Sequence, residues 1–468
     1  MVEKAAVKRW IFTILSVYIF CQPLLDIITS FQRQVDQTLT VGTVIRSLFM
    51  VVCFFYTVIV SSKQKYYFPL LASVAIALYC VLFLTICFLR GGLSTVLGNI
   101  RYMIKLFYFP FVLCSFVVVY KEYGSFLDRS ILARVSVVYM AVIFVAFITG
   151  TAFASYSQLN LGNNGWFYAA NEIGAIIGIL SPFTISYYCD KIVVRQKGKW
   201  KWAAFIIFAI SLGLVAFCSV FVGTKAIFVS IVGYLVCYFI WYLVHWFPKK
   251  TLSNNRHILV IVCIFVSIFM LYSVSPLKQN INGFMIDQYN KIDENSSQVN
   301  EPGSDASENQ QDANQNEIGS SYGFKMLNWI LSDRLRCSLP TMTAYAQGDL
   351  SVKLWGLGYV EYNEGMDSIE KSMEMDFMTI FFRHGFIGTI AYLVPLFYFL
   401  FIIIKAAFIH FKKAWNSVRY CTSLYSIFLG LGIAFFAGHV LSAPAVSIFI
   451  AFGIVNLISD MKNNIFVD

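Results

Sequence analysis

The feature that most restricts this chain is the recurrence, along nearly its whole length, of apolar runs of about 20 residues. Each is long enough to cross the ~30 Å hydrocarbon core of a bilayer. No water is available there to satisfy backbone N–H and C=O groups, so a crossing segment must be a helix or part of a closed barrel. Barrel strands would read as short segments of alternating polarity, and the runs do not alternate. Composition agrees: 58% of the residues are hydrophobic and 13% charged, unlike a water-soluble globular domain. The expected fold class is an all-α polytopic membrane protein with about 12 transmembrane helices.

The spans fall near 10–31, 41–60, 67–89, 102–120, 131–152, 168–189, 201–222, 225–247, 257–275, 378–405, 420–438 and 444–460. The first is too long for a signal-peptide h-region and carries no small-residue cleavage site, so it is expected to remain as a span. Basic residues orient the bundle. Lys4, Lys8 and Arg9, Lys63 and Lys65, Lys121 and Arg129, and the loops DKIVVRQKGKWK, PKKTLSNNRH and KKAWNSVR fall on every second connection. The positive-inside bias makes that side cytoplasmic, with both termini inside. The net charge of +10 therefore serves orientation, and nucleic acid is not an expected partner.

The expected organisation is a membrane domain over 1–275 (spans one to nine), a large extracytoplasmic loop over 276–377, and a second membrane portion over 378–468. Between Pro276 and Met378, sixteen Asp and Glu outnumber seven Lys and Arg. Residues 290–321 are so poor in apolar side chains that they are expected to be disordered. YGFKMLNWILSDRLRCSLPTMTAYAQ, beyond them, has helical periodicity, and SVKLWGLGYVEY reads as turn-rich. Nearly all of the eleven cysteines sit in apolar runs, and no Cys/His cluster has zinc-site spacing. Neither a metal nor a cofactor is expected.

Several cations run against the orientation bias. Arg46, Arg90, Arg101, Lys105, Lys225, Arg334, Arg336 and Arg383 all belong to the outer side. Such a set suits an anionic ligand at the interface, for example a lipid pyrophosphate; the plainer reading is headgroup contact by snorkelling side chains. In EMDFMTIFFRHGFIG (374–388), Glu374 and Asp376 are two apart and point to different sides of a helix. Asp376 and Arg383 are seven apart and share a face, which predicts an ion pair that lets Arg383 be buried. Glu374 is left unpaired by local sequence and is the better general-base candidate, against the plainer reading of a solvated carboxylate. His384 reads equally as a packed or a functional histidine. His439, in FAGHVLSAP, is a second candidate base.

These segments resemble the O-antigen ligase-like and Wzy-type polysaccharide polymerase family, integral membrane glycosyltransferases of the GT-C-like kind. GWFYAANEIGAIIGIL resembles the family's N-x-x-G/A signature, with Asn171 and Gly174 matching. FVGTKAIFVS resembles its S-R-x-x turn, with Lys225 in place of Arg. SDRLR followed by KLWGLGY resembles S-x-R … G-x-G, with Arg334 the counterpart. EMDFMTIFFRHGFIG resembles H-N-x-x-L … G-x-x-G, with Glu374 in place of His. Lys keeps the charge but loses the bidentate fork; Glu keeps a possible base of a different pKa class.

The resemblance implies glycosyl transfer at the outer face of the bacterial cytoplasmic membrane. The donor would be an undecaprenyl-pyrophosphate-linked glycan and the acceptor a glycan hydroxyl, with membrane lipid around both. It leaves room for a partner that sets chain length. Arg334, Lys225 and Arg101 or Arg336 are assigned to the pyrophosphate. Glu374 would take the acceptor proton, with Asp376 and Arg383 positioning it. A polymerase is favoured over a ligase, because nothing identifies a lipid core, wall polymer or protein acceptor. A flippase or other transporter would predict pseudo-symmetric halves and charges near the midplane, and the halves are unlike. Shape-and-division glycosyltransferases share the broad architecture but not this motif order.

Overall fold

The computed structural model describes residues 2–35, 37, 39–156, 161–193, 201–249, 252–282, 334–359 and 373–462. The stretch expected to be disordered, 290–321, lies outside these residues. Among the described residues the secondary structure is helical, with one isolated bridge between Tyr156 and Leu161.

The helices are α1 (Val2–Phe20), α2 (Gln22–Gln34), α3 (Val41–Gln64), α4 (Tyr67–Tyr123), α5 (Ser130–Ile148), α6 (Ala170–Val193), α7 (Lys201–Phe221), α8 (Lys225–Lys249) and α9 (Leu252–Tyr272). After the loop come α10 (Arg334–Gln347), α11 (Leu350–Trp355), α12 (Asp376–Ile409), α13 (Phe411–Asn416), α14 (Val418–Phe436) and α15 (Pro444–Lys462). Ten described helices are long and apolar enough to cross a membrane, and α1 with α2, bent by 42°, makes an eleventh. The bend falls at Cys21, just ahead of Pro23, a residue suited to a first helical turn and not to an interior.

The 57 residues of α4 would span ~85 Å if straight, far more than one bilayer core. They do not run straight. Tyr79 and Phe107 would stand ~42 Å apart on a continuous helix, yet their ring centroids are 5.5 Å apart. The chain doubles back at Gly92, where φ is 72°, a value that glycine adopts without a Cβ penalty. With its arms 67–91 and 93–123 counted separately, the described helices offer twelve passes. In α12 a second break falls at Gly385, separating a short arm, 376–384, from the long span behind it.

Burial ranks the helices from centre to rim. In α6 and α15, 89% of the apolar stretch is buried, against 17% in α3 and 22% in α9. On α3, Leu48, Val52, Phe55 and Ile59 are exposed at helical spacing, while Arg46, Cys53, Thr57 and Ser61 face inward. An apolar outer stripe over a more polar inner face is what lipid solvation selects. Because successive passes alternate, the connections near residues 35–41, 92, 149–156, 161–170, 222–225 and 437–444 share one end of the bundle with the end of α9 and the start of α12.

Candidate active site

At that end lies a cavity of about 1250 Å³. Six cations line it: Arg33 at the end of α2, Arg46 on α3, Lys105 on α4, Lys225 opening α8, Arg334 opening α10 and Arg383 on α12. Asp26, Glu172, Glu374 and His439 line it too. Charge in so apolar a bundle is costly unless it is paired or used.

Glu374 is paired, which local sequence did not foretell. Arg334 Nε donates to its Oε2 at 2.7 Å, and both side chains are partly exposed to the cavity. Backbone packing fixes where the carboxylate stands. Gly438, at φ 75°, lies so close that a Cβ on it would sit 1.6 Å from the Glu374 carbonyl oxygen.

The expected ion pair between Asp376 and Arg383 is not formed; this corrects the helical-face argument. The Asp376 carboxylate is buried and turns to the α14–α15 connection instead. It accepts the backbone N–H groups of His439 (3.1 Å), Val440 (2.8 Å) and Leu441 (2.8 Å), and the Ser442 hydroxyl (2.5 Å). The four donors lie 63 to 66 residues away in sequence, beyond the reach of any periodicity. His439 is consequently held at φ 59°, a region that non-glycine residues seldom occupy, and it lines the cavity.

Arg383 is held by the loop that resembles the G-x-G motif. The break at Gly385 leaves the carbonyls of Phe382 and Arg383 without helical partners, and the amides of Leu357 and Gly358 take them, each at 3.0 Å. The two backbones approach so closely that a Cβ on Gly356 would sit 2.4 Å from the Arg383 carbonyl carbon. Arg383 Nη1 then donates to the Gly358 carbonyl at 2.9 Å, and its guanidinium lies 5.6 Å from the Tyr359 ring centroid. Tyr359 stacks on Tyr102 and gives its amide to Asn99 Oδ1 at 2.7 Å. Burial pushes the ionisation of the Tyr359 phenol upward, so it keeps its proton.

His384 proves to be a buried polar link. Tyr79 Oη lies 3.1 Å from both the His384 carbonyl and its Nδ1. A phenol has one proton, and the carbonyl can only accept, so that proton belongs to the carbonyl. Nδ1 must then carry its own hydrogen and donate to Tyr79. In the neutral ring Nε2 is left as acceptor for the Tyr359 hydroxyl at 3.3 Å.

The other expected residues divide. Lys225 lines the cavity beside Thr224, and Asn171 lines it from the first turn of α6. Arg336 is exposed, Arg101 is half-buried, and neither lines the cavity. Sequence reasoning passed over Asp26, Arg33 and Glu172. Asp26 was within reach of it, as a lone carboxylate in an apolar run. It accepts from Arg46 Nη2 at 2.6 Å and from the Tyr139 hydroxyl at 2.5 Å, and Gln22 Oε1 takes the same guanidinium's Nη2 at 2.8 Å and Nε at 3.1 Å. Among the described residues no group of three His, Cys, Asp or Glu is gathered to hold a metal ion.

The arrangement can hold a polyanion against several guanidinium and ammonium groups while keeping one carboxylate at the same wall. A family model described as O-antigen ligase like membrane protein matches residues 8–464. No curated protein matches the chain.

Proposed function

The chain belongs to the O-antigen ligase like membrane proteins, multi-pass membrane enzymes that transfer glycans, and from that premise we propose that it is a polysaccharide polymerase acting at the extracytoplasmic face. The donor is a glycan repeat unit on undecaprenyl pyrophosphate, and the acceptor is the hydroxyl of a second glycan.

In the proposed step the acceptor oxygen bonds to the anomeric carbon of the donor. The bond from that carbon to the pyrophosphate oxygen breaks, and its electron pair leaves with the pyrophosphate. Arg334 and Lys225 take up the charge that develops there, with Arg383 on the same wall. The acceptor proton passes to Glu374. Arg334 drawn toward the pyrophosphate would release the Glu374 oxygen that it holds, leaving that oxygen for the acceptor hydroxyl once donor is bound. His439 stands on the same wall as the alternative proton acceptor.

The observation that carries this reading is the Arg334–Glu374 pair on the wall of a cation-lined cavity. The test is turnover by the purified protein with its lipid-linked repeat unit in EDTA, with products resolved by mass. A ladder spaced by one repeat is the expected result and would establish metal-independent polymerisation. Transfer only to a separately supplied acceptor would make the protein a ligase. No transfer under either condition would overturn the enzymatic reading in favour of transport.

A further inference from the structure

Among the described residues five tyrosines line the cavity, and the protein itself engages four of them. Tyr102 and Tyr359 stack on one another, Tyr108 meets the Tyr18 hydroxyl at 3.0 Å, and Tyr156 is hydrogen-bonded to Asn280. The fifth, Tyr168, is 60% exposed, and neither its ring nor its hydroxyl has a partner among the described residues.

The connection from α5 to α6 that carries Tyr168 is nevertheless tied down. The Phe153 amide donates to the Gly165 carbonyl and the Asn164 amide to the Phe153 carbonyl, each at 2.8 Å, and the Asn163 amide reaches the Phe221 carbonyl at 3.0 Å. Asn164 Nδ2 donates to the Phe167 carbonyl at 2.6 Å. Phe167, next to Tyr168 in the chain, is buried with its ring against Tyr139. A ring that is held in place yet bare loses little further freedom on binding, which makes it a suitable anchor for a ligand. Tyrosines also mark the membrane–water interface, but those face lipid, whereas Tyr168 belongs to the cavity wall.

Three and four residues on, Asn171 and Glu172 line the same cavity, and neither side chain has a hydrogen-bond or ion-pair partner among the described residues. A carboxylate in the first turn of α6 complements the helix dipole, so Glu172 alone would indicate no ligand. The bare ring beside it does. A pyranose has an apolar C–H face and a rim of hydroxyls. An aromatic face suits the first, and a carboxylate that accepts with an amide that both donates and accepts suits the second.

We propose that Tyr168, Asn171 and Glu172 form a sugar subsite, with the Tyr168 ring against the C–H face of a pyranose of the lipid-linked glycan and Asn171 and Glu172 on its hydroxyls. This rests on the glycan-transfer reading and deepens it. Cations hold a lipid pyrophosphate whatever sugar it carries, so selection among repeat units falls to groups that touch the sugar.

The test is native mass spectrometry of the full chain in nanodiscs with two probes, bare undecaprenyl pyrophosphate and the glycan-bearing lipid extracted from cells that make the glycan. The wild type should hold the glycan-bearing lipid more tightly. Tyr168→Ala should weaken that lipid by about tenfold and leave the bare lipid unchanged, which also reports that the variant is folded. Tyr168→Phe, which keeps the ring, should keep the preference, and Asn171→Ala combined with Glu172→Gln should lose it. A preference that survives in Tyr168→Ala or in the double variant would overturn the subsite. So would equal weakening of both probes by Tyr168→Ala, or a wild type that binds the two alike, and either would leave the proposed function standing. Failure of the wild type to bind either probe would sink the transfer reading itself.

Discussion

Arg334 and Glu374 stand 40 residues apart in the chain, and the guanidinium Nε meets the carboxylate Oε2 at 2.7 Å. One opens α10 and the other stands just ahead of α12, and they meet at the cavity wall. A charge-assisted contact of this length ranks among the stronger side-chain hydrogen bonds. It ties the position of the candidate base to that of a candidate pyrophosphate ligand.

The first prediction concerns that base. Glu374→Gln keeps the shape and can still accept from Arg334, but it cannot take a proton. Loss of a general base typically lowers rate by about 10²–10⁴-fold. The fall should appear in kcat with donor KM little changed. Full activity in this variant would remove Glu374 from the mechanism and turn attention to His439.

Arg334 should respond differently to two substitutions. Arg334→Lys retains charge but loses the fork that can hold carboxylate and pyrophosphate together, so a raised donor KM with residual turnover is expected. Arg334→Gln removes the charge as well and should lose turnover. Initial rates against donor concentration separate the two outcomes, and identical kinetics in both variants would count against pyrophosphate contact.

Asp376 should behave as a structural residue. It accepts four donors, and an Asn in its place offers one carbonyl oxygen. Each buried donor left unpaired costs about 1–3 kcal/mol. Asp376→Asn should therefore lower the thermal unfolding midpoint in detergent, whereas Glu374→Gln should not. A stable but inactive Asp376→Asn would argue instead for a direct role in chemistry.

Docking of the short loop helix depends on Gly385. Its φ of 65° is costly for other residues, and a Cβ there would meet the Leu354 carbonyl carbon and oxygen at 2.6 Å. In Gly385→Ala the segment around 350–359 should detach from α12, seen as faster proteolysis in that segment with the long span still protected. Unchanged protection would mean that the contact between the Gly356 and Gly385 backbones does not hold the loop.

Tyr359 separates hydrogen bonding from stacking. Tyr359→Phe removes the donor to His384 Nε2 but keeps the ring beside Tyr102 and Arg383, and should lower turnover by no more than about tenfold, in line with one lost buried hydrogen bond. Tyr359→Ala, which also removes the ring under Arg383, should do much more. Equal losses would assign the whole effect to the phenol.

The extent of what the sequence carried follows from the range of the forces involved. A segment in lipid must satisfy its own backbone, so each span is written in its own ~20 residues, and the expected spans from 41–60 to 444–460 lie where the helices from Val41–Gln64 to Pro444–Lys462 stand. The gathering of cations at one end follows from the same count, because successive passes alternate. Which of those charges meet does not. The predicted Asp376–Arg383 pair rested on one helical face, and it lost to backbone donors some 63 residues away. The Asn99–Tyr359 bond closes across 260 positions, and Arg90 reaches the Gly356 carbonyl across 266. Hydrogen bonds and ion pairs act over a few ångströms and are indifferent to chain separation, so only the folded bundle decided which carboxylate holds the loop, which faces the cavity, and which cations stand beside it.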